Sequence, residues 1–269
     1  MRFMSVYKPE KKAPPTGPAP DHMAEMGKFM AEMIESGTLL STGALSGNRA
    51  AVRYEDGQHT VIDGPFAESK ELVAGFALLR YASKAEAVEG VKRFLAVAGD
   101  GEAEVRELFD TEDFPVDPAE QPGGWRENEE KFRAAAGARK SPMLPPAPPG
   151  KQRFMALIKA DKNTESNAMP SEAVLTEMGA LMEEYTRAGK ILGGEGLKPS
   201  ARGARVRLSE GKFTVTDGPF AESKELIAGF STLEVGSKEE AVEFAKRMIE
   251  IHVRHSDVRR GEVEVLQVM

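Results

Sequence analysis

The sequence DGPFAESKEL occurs twice in this chain, at positions 63–72 and again at 217–226. The match extends on both sides, because Thr60 to Phe76 differs from Thr214 to Phe230 at only two of 17 positions. Outside this stretch the two halves agree mainly in their pattern of apolar and polar residues. The chain is therefore predicted to hold two copies of one domain. The loop is predicted to have a function of its own, since many sequences satisfy turn chemistry.

The repeat divides the 269 residues into two domains, residues 1–112 and 151–269, joined by a linker at 113–150. The charged part of the linker contains ENEEKFRAAAGARK at 127–140, which predicts an exposed helix. The second part, from Ser141 to Gly150, has five prolines in ten positions. Because proline fixes φ and lacks a backbone donor, this part is predicted to be an extended spacer that lets the second domain fold back on the first.

Each copy predicts the element order β-α-β-hairpin-β-α-β. Tight turns are indicated at Asp56-Gly57 and at Ser209-Glu-Gly211, and capping boxes that begin with Ser83 and Ser237 predict the start of the last helix. This order is that of a ferredoxin-like split βαβ unit with an added hairpin, an α+β fold. Its antiparallel sheet leaves one face open, so the two copies are predicted to pack sheet on sheet as a pseudo-dimer within one chain.

The first helix of each copy carries a stripe of apolar residues at helical spacing. A charged opposite face favours a core role for this stripe, and the alternative is an adaptable binding surface, which methionine-rich faces provide. The stripe consists of Met23, Met26, Met30 and Met33 in the first copy, and of Leu175, Met178, Met182 and Tyr185 in the second.

Composition excludes several classes of function. A formal net charge of -7 argues against nucleic-acid binding, which depends on clustered Lys and Arg. The absence of cysteine excludes disulfides, thiolate nucleophiles and cysteine-ligated zinc. No stretch approaches the ~18 apolar residues of a membrane span, and the N-terminus lacks the apolar core of a signal peptide. We expect a cytoplasmic protein without a membrane or nucleic-acid partner.

The repeated loop supplies candidate catalytic groups. Asp63 and Asp217 each precede an aromatic residue, two carboxylates and an ammonium group, and such clusters shift carboxylate pKa values at functional sites. We therefore predict Asp63 and Asp217 as acid/base groups. The alternative is a solvated, salt-bridged loop. Within the loop, the residues predicted to contact a ligand are Phe66 and Lys70 in the first copy, and Phe220 and Lys224 in the second.

A glycine-rich stretch of the second copy, GGEGLKPS at 193–200, predicts a polar pocket rim. Glycines let the backbone approach a ligand, although their spacing matches no nucleotide-binding fingerprint. Lys198, Arg205 and Arg207 would supply cations for an anion or carboxylate, with Glu195 and Ser200 as further ligand contacts. The alternative is a bulged strand end with basic residues at the surface.

Histidine is a poor candidate for a group that both copies need, because no histidine recurs between them. His252 and His255 are three residues apart near a predicted helix end, and a metal site would need a third ligand that the sequence does not indicate. We predict neither a metal site nor a cofactor.

The run from Gly194 to Phe230, with its GEGLKPS, RVR and TVTDGPFAESKELIAGF segments, resembles the YCII-related family of DGPF-domain proteins. The resemblance covers both copies and implies the ferredoxin-like dimeric α+β barrel. In smaller proteins of that family a His/Asp pair in the barrel pocket is a candidate for catalysis. Here Asp63 and Asp217 match the motif aspartate, while only the first copy has a histidine near its helix start, His22. Relatives are often encoded beside extracytoplasmic-function sigma factors, which implies a regulatory role.

Two functions remain open from the sequence. In one, the protein is an enzyme whose motif aspartates perform acid/base chemistry on a small molecule held between the halves. In the other, it is a non-catalytic module that senses a ligand or binds a regulatory partner such as a sigma factor. An anionic ligand is favoured in both cases, and a purely structural loop is the third interpretation.

Overall fold

The computed structural model describes residues 1–10, 19–64, 73–110, 113, 134, 142–220 and 226–269. Phe66, Lys70, Lys224 and the predicted linker helix at 127–140 lie outside this part, apart from the single residue 134 of that helix. The strands are β1 (Arg2–Pro9), β2 (Leu39–Glu55), β3 (Gln58–Asp63), β4 (Gly75–Arg80), β5 (Gly101–Glu107), β6 (Gln152–Lys159), β7 (Ile191–Gly196), β8 (Ala204–Ser209), β9 (Lys212–Asp217), β10 (Ile227–Val235) and β11 (Arg260–Val268). The α-helices are α1 (Pro20–Glu35), α2 (Lys84–Ala98), α3 (Lys162–Glu165), α4 (Glu172–Arg187) and α5 (Lys238–Arg254).

The predicted turns lie where the sequence indicates them. Asp56 and Gly57 have φ values of 49° and 85°, and Glu210 and Gly211 have 49° and 75°. Two consecutive residues with positive φ are the signature of the two-residue hairpin turn that matches the twist of the flanking strands. These turns fix the register of the β2–β3 and β8–β9 hairpins.

The helix starts agree with the predicted capping residues, with one difference. The side chain of Ser83 accepts a hydrogen bond from the Glu86 amide, as a capping box requires. The Glu86 carboxylate, however, accepts from the amide of Ala82 at 3.1 Å instead of from that of Ser83. The same arrangement recurs at Ser237. The glutamate of each predicted capping box thus reaches back to the residue before the serine.

The two halves form a dimeric α+β barrel in which each half lends a hairpin to the other. The first part of β2 pairs with β4 of its own half, and its last part pairs with β11 of the second half. In the same way, β8 pairs with β5. The resulting strand order is β7-β10-β6-β11-β2-β4-β1-β5-β8-β9, with β3 attached to β2. The predicted pseudo-dimer is confirmed.

Backbone hydrogen bonds at the ends of β5 and β7 also join the two halves. The amide of Phe109 donates to the carbonyl of Gly196 at 3.0 Å, and the amide of Lys198 donates to that of Glu107 at 2.8 Å. Because the halves share backbone hydrogen bonds as well as packed side chains, we expect them to unfold together.

Three apolar clusters fill the fold. One lies beneath the helices of each half, and the third lies inside the barrel between the halves, where Met4, Phe76 and Met155 are among its members. Met33 belongs to the first helix-side cluster, as predicted. Met23 is 60% exposed, so its prediction as core was wrong. The reason is that only Phe29 and Met33, near the end of α1, are buried on that helix.

The proline-rich segment at 142–150 contains no helix, in agreement with its composition. It touches the first half where the amide of Thr42 donates to the carbonyl of Pro142 at 3.3 Å. None of the helices in the described ranges combines the length and apolar character that a membrane crossing requires.

Candidate functional site

The motif aspartates lie on the surface and link the two halves. Asp63 and Asp217 end β3 and β9, and their side chains are 67% and 69% exposed. Asp63 pairs with Lys238 at 2.6 Å, and Asp217 pairs with Lys84 at 2.7 Å. Each lysine opens a helix of the opposite half. Exposed ion pairs of this kind contribute roughly 0–1 kcal/mol each.

Asp217 also borders a shallow hollow of about 620 Å³ that includes Tyr81 and Lys84. A substrate could occupy this hollow and would then lie next to the Asp217 carboxylate. The acid/base role of Asp63 and Asp217 stays a prediction.

The rest of the second DGPF motif holds the preceding GLKPS loop. A Cβ atom on Gly218 would lie 1.8 Å from the carbonyl oxygen of Ser200, so only glycine fits there. The hydroxyl of Ser200 accepts from the amide of Phe220 at 3.2 Å and donates to the Glu165 carboxylate. The guanidinium of Arg205 lies 4.3 Å from the centroid of the Phe220 ring, a cation–π contact.

The predicted ligand residues Lys198, Ser200, Arg205 and Phe220 are thus brought together, at the boundary between the halves. We call the charged groups there the interface ion cluster. It consists of Glu104, Arg106, Glu107, Asp113, Glu165, Lys198, Arg202 and Arg205.

Opposite charges are matched within the interface ion cluster. Arg106, only 2% exposed, donates to Glu104 at 3.2 Å, to Glu165 at 3.2 Å and to the carbonyl of Lys198 at 2.6 Å. Burial alone would lower the pKa of Lys198, but hydrogen bonds to Asp113 and Glu107 outweigh it and raise that pKa. The cations that the sequence indicated as anion ligands are therefore already paired with carboxylates of the protein.

The other two predicted contacts lie apart from this cluster. Glu195 pairs with Arg2. Arg207 has a side chain that is 55% exposed and lies 3.6 Å from Glu10. Neither residue therefore joins the predicted rim around Lys198.

A cavity of about 960 Å³ lies elsewhere in the second half, between α4, α5 and the sheet. We call it the C-terminal cavity. Small residues on β7 and β10 form its floor: Gly194, Gly196, Ala228 and Gly229. Larger apolar residues form its walls: Ile158, Leu175, Met178, Met182 and Met248. The first half supplies part of the rim through Arg53, Tyr54, Glu55 and Phe109. The methionine stripe of α4 therefore lines a cavity, which favours the binding-surface alternative for this copy.

Two substitutions between the copies explain why the second half has room for the cavity. Tyr7 pairs with a glycine of β4 just as Ile158 pairs with a glycine of β10. Phe94 and Met248 each lie eleven residues after the serine that caps their helix. In the first half the Tyr7 and Phe94 rings pack edge to face, with centroids 5.1 Å apart. Ile158 and Met248 are smaller and leave that space open.

A histidine and an aspartate lie at the edge of the C-terminal cavity. Nε2 of His252 is 2.8 Å from Oδ2 of Asp161, and both residues line the cavity. Asp161 also caps α3 by accepting from the amides of Asn163 and Thr164. Burial would raise the pKa of Asp161, but the hydrogen bonds to His252 and Thr164 outweigh it and lower that pKa to about 2. The pair adds a polar group with fixed orientation to a cavity that has apolar walls and also charged lining residues such as Lys159, Lys162 and Arg260.

The described residues contain no group of three or more His, Asp or Glu that could hold a metal ion. His255 lies 2.7 Å from Glu177, so it has a different partner from His252.

The model of the YCII-related domain matches residues 1–112 and 152–268. This chain belongs to the YCII-related domain family. An uncharacterized protein of Rhizobium meliloti strain 1021 is 39% identical to it over 75 residues, which are 28% of this chain and 60% of that protein. The match thus spans about three fifths of the relative's length.

Two solved structures resemble the YCII-related protein along its whole length. A heme-binding protein from Thermus thermophilus has a TM-score of 0.44 and 13% identity, covering 100% of this chain and 90% of that one. Chlorite dismutase from Candidatus Nitrospira defluvii has a TM-score of 0.36 and 11% identity, with coverages of 100% and 90%.

Sequence reasoning missed Asp161 and the role of His252 in this YCII-related protein. The available signal was that His252 occurs in the second copy alone, since Ala98 stands at its helix position in the first. A search for groups shared by both copies passes over such residues.

Proposed function

We propose that this YCII-related protein binds a small, mainly apolar molecule in the C-terminal cavity, at the boundary of its two halves. The observation that carries the proposal is the replacement of the packed Tyr7 and Phe94 rings by Ile158 and Met248. The volume of about 960 Å³ lies in the range of small-molecule sites.

The side chains of the C-terminal cavity suit such a ligand. Met178, Met182 and Met248 carry flexible, polarizable thioethers that adapt to ligands of irregular shape. The Asp161–His252 pair supplies the directional polar contact that orients a ligand. A cavity that is apolar except for a few fixed polar groups is the usual form of a ligand site.

The test fills the cavity by introducing, at Ile158 and Met248, the larger residues that the first half has at the equivalent positions. The Ile158→Tyr, Met248→Phe variant should lose at least tenfold in affinity for Nile red, a neutral apolar dye, as followed by its fluorescence. The matched control is Tyr7→Ile, Phe94→Met, which changes the same positions in the first half and should keep the affinity of the C-terminal cavity. Equal dye affinity in the refilled variant and the wild type would refute the proposal.

Native mass spectrometry of the purified protein identifies the natural ligand. We expect a bound small molecule in the wild type and none in the refilled variant. A mass that persists in both proteins would place the ligand elsewhere.

A second candidate function is acid/base catalysis through Asp217 and Asp63. The supporting observation is the hollow beside Asp217, which brings Tyr81 and Lys84 next to the carboxylate. Turnover across a panel of metabolites should then fall by about 10²-fold or more in Asp217→Asn. Equal turnover in both proteins would remove the catalytic role. Because both carboxylates are about two-thirds exposed, the geometry favours binding over catalysis.

Binding in the C-terminal cavity is also what a regulatory module would need. The implied link to an extracytoplasmic-function sigma factor and the cytoplasmic location stay predictions. Co-purification of a sigma factor with the wild type, and its loss on refilling the cavity, would connect ligand sensing to that partner.

A further inference from the structure

Arg49 on β2 is a deeply buried cation without an ion pair among the described residues. It is 4% exposed, and its Nη2 atom makes only two long hydrogen bonds, to the carbonyls of Ser46 at 3.3 Å and Val73 at 3.4 Å. Its Nε atom is buried without a hydrogen-bond partner. Across the described ranges, no carboxylate lies within 4.0 Å of its guanidinium. Burial lowers the pKa of Arg49, and the charge of Glu264 acts in the opposite direction.

Glu264 does not neutralise Arg49, because it pairs with Lys159 at 2.8 Å. In the interface ion cluster, by contrast, the corresponding glutamate, Glu104, contacts both Arg106 and Arg205. The two ends of the barrel therefore differ in how they compensate a buried guanidinium.

The guanidiniums of Arg49 and Arg106 occupy related positions but come from opposite strands. Arg49 on β2 faces Leu266 on β11. At the other end of the barrel, Arg106 on β5 faces Gly203, whose added Cβ would lie 2.7 Å from the Cδ atom of Arg106. Each cross-strand pair thus contributes one arginine to the barrel interior.

The neighbours of Arg49 are neutral hydrogen-bonding groups. Ser46 and Gln267 stand where the other end of the barrel has Lys198 and Glu107. Close by, the amide group of Asn48 donates to Gln267 at 3.1 Å. Hydroxyl and amide groups around a single guanidinium can complete the coordination of an anion without opposing its charge.

Among the described residues Arg49 has no counterion, and a buried charge without one is unfavourable. We propose that Arg49 forms a binding site for a small oxyanion, a carboxylate or phosphate group, that is separate from the C-terminal cavity. The planar guanidinium matches both groups with two parallel hydrogen bonds. Ser46 and Asn48, whose side chains donate to Gln267 in this structure, would add donors if they turned toward the anion.

The test measures the binding of acetate and of inorganic phosphate to the full chain by calorimetry, at constant ionic strength in chloride. We expect one site for at least one of the two anions, with an affinity at least tenfold lower in Arg49→Met. The matched control is Arg207→Met, which removes an exposed arginine and should keep the affinity. The refilled cavity variant should keep it as well, so failure of this proposal is distinct from failure of the proposed function.

A second variant covers the case in which Arg49→Met does not fold. Arg49→Lys keeps the buried positive charge but loses the two parallel donors of the guanidinium, and it should lower the anion affinity at least tenfold. The proposal is overturned if the wild type binds neither anion, if Arg207→Met weakens binding as much as Arg49→Met, or if Arg49→Lys binds as the wild type does.

Discussion

The buried arginine lies on β2 at one end of the barrel, as Arg49, and on β5 at the other end, as Arg106. Mutations can move the second arginine from β5 to the facing position, Gly203. Arg106→Leu combined with Gly203→Arg would give the interface ion cluster the arrangement that Leu266 and Arg49 have at the other end. If the free energy of unfolding depends on where the guanidinium lies and not on the strand that carries it, the double variant should lose less stability than the two single variants together.

The structure sets the size of the effect. Arg106→Leu alone leaves Glu104 and Glu165 without their shared cation, which costs about 3–5 kcal/mol for buried groups. Gly203→Arg alone puts a Cβ 2.7 Å from both the Cδ atom of Arg106 and the carbonyl of Val105, and such overpacking costs about 1–3 kcal/mol. Added together, the losses would be roughly 4–8 kcal/mol. In the double variant we expect a loss below about 3 kcal/mol, because removing the Arg106 guanidinium leaves its place and its carboxylates to the new arginine, while the contact with the Val105 carbonyl remains.

Urea unfolding of the wild type, both single variants and the double variant measures this coupling. Midpoints are converted to free energies of unfolding with the slope of each transition, which must stay constant for the comparison to hold. A favourable coupling of about 2–4 kcal/mol is expected. Additivity of the two losses within about 0.5 kcal/mol would refute the equivalence of the two positions.

Two further predictions concern the second half. Gly218→Ala should lower the free energy of unfolding by about 3 kcal/mol because its Cβ would meet the Ser200 carbonyl at 1.8 Å, whereas Gly27→Ala, on an open face of α1, should raise it by about 0.5–1 kcal/mol. Similar thermal melts for both variants would contradict the close approach. Asp161→Asn should cost up to about 2 kcal/mol at pH 7, since the folded pKa of about 2 lies below the ordinary 3.8. That stabilisation is present above pH 3.8 and is lost as the pH falls toward 2, so the difference between wild type and variant in urea unfolding should shrink on acidification. A constant difference would contradict the lowered pKa of Asp161 and the hydrogen bonds that cause it.

Most of the fold could be predicted from the sequence because the repeat, the turn residues and the capping serines all indicate the same unit. The exchange of hairpins could not. The β2 strand runs from Leu39 to Glu55 without a break, and its last part pairs with β11 of the other half. Alternating residues on a hairpin fit any sheet edge with the same apolar face, so the pattern does not say which half supplies the partner.

The candidate site was predicted less well, for two physical reasons. Lys198 and Arg205 were predicted as ligands of an anion, but the carboxylates that pair with them, Glu107 and Glu104, come from β5 of the other half. Ion pairs between residues so far apart in the chain cannot be predicted from a local sequence pattern. The C-terminal cavity depends on Ile158 and Met248, which differ from their counterparts in volume and shape but remain apolar, so a pattern of apolar and polar positions does not reveal them.

Fusion of the two copies into one chain explains how the halves came to differ. In a symmetric dimer of identical chains every substitution appears at both sites. A Tyr-to-Ile change that opens one cavity would then open two, with the loss of packing doubled. In this chain Tyr7 stabilises the first half while Ile158 leaves the second half open, and Arg106 is compensated by carboxylates while Arg49 is not, among the described residues. Under the two proposals, the fused barrel would hold an apolar site on one side and an anion site on the other, a division of roles that identical subunits could not achieve.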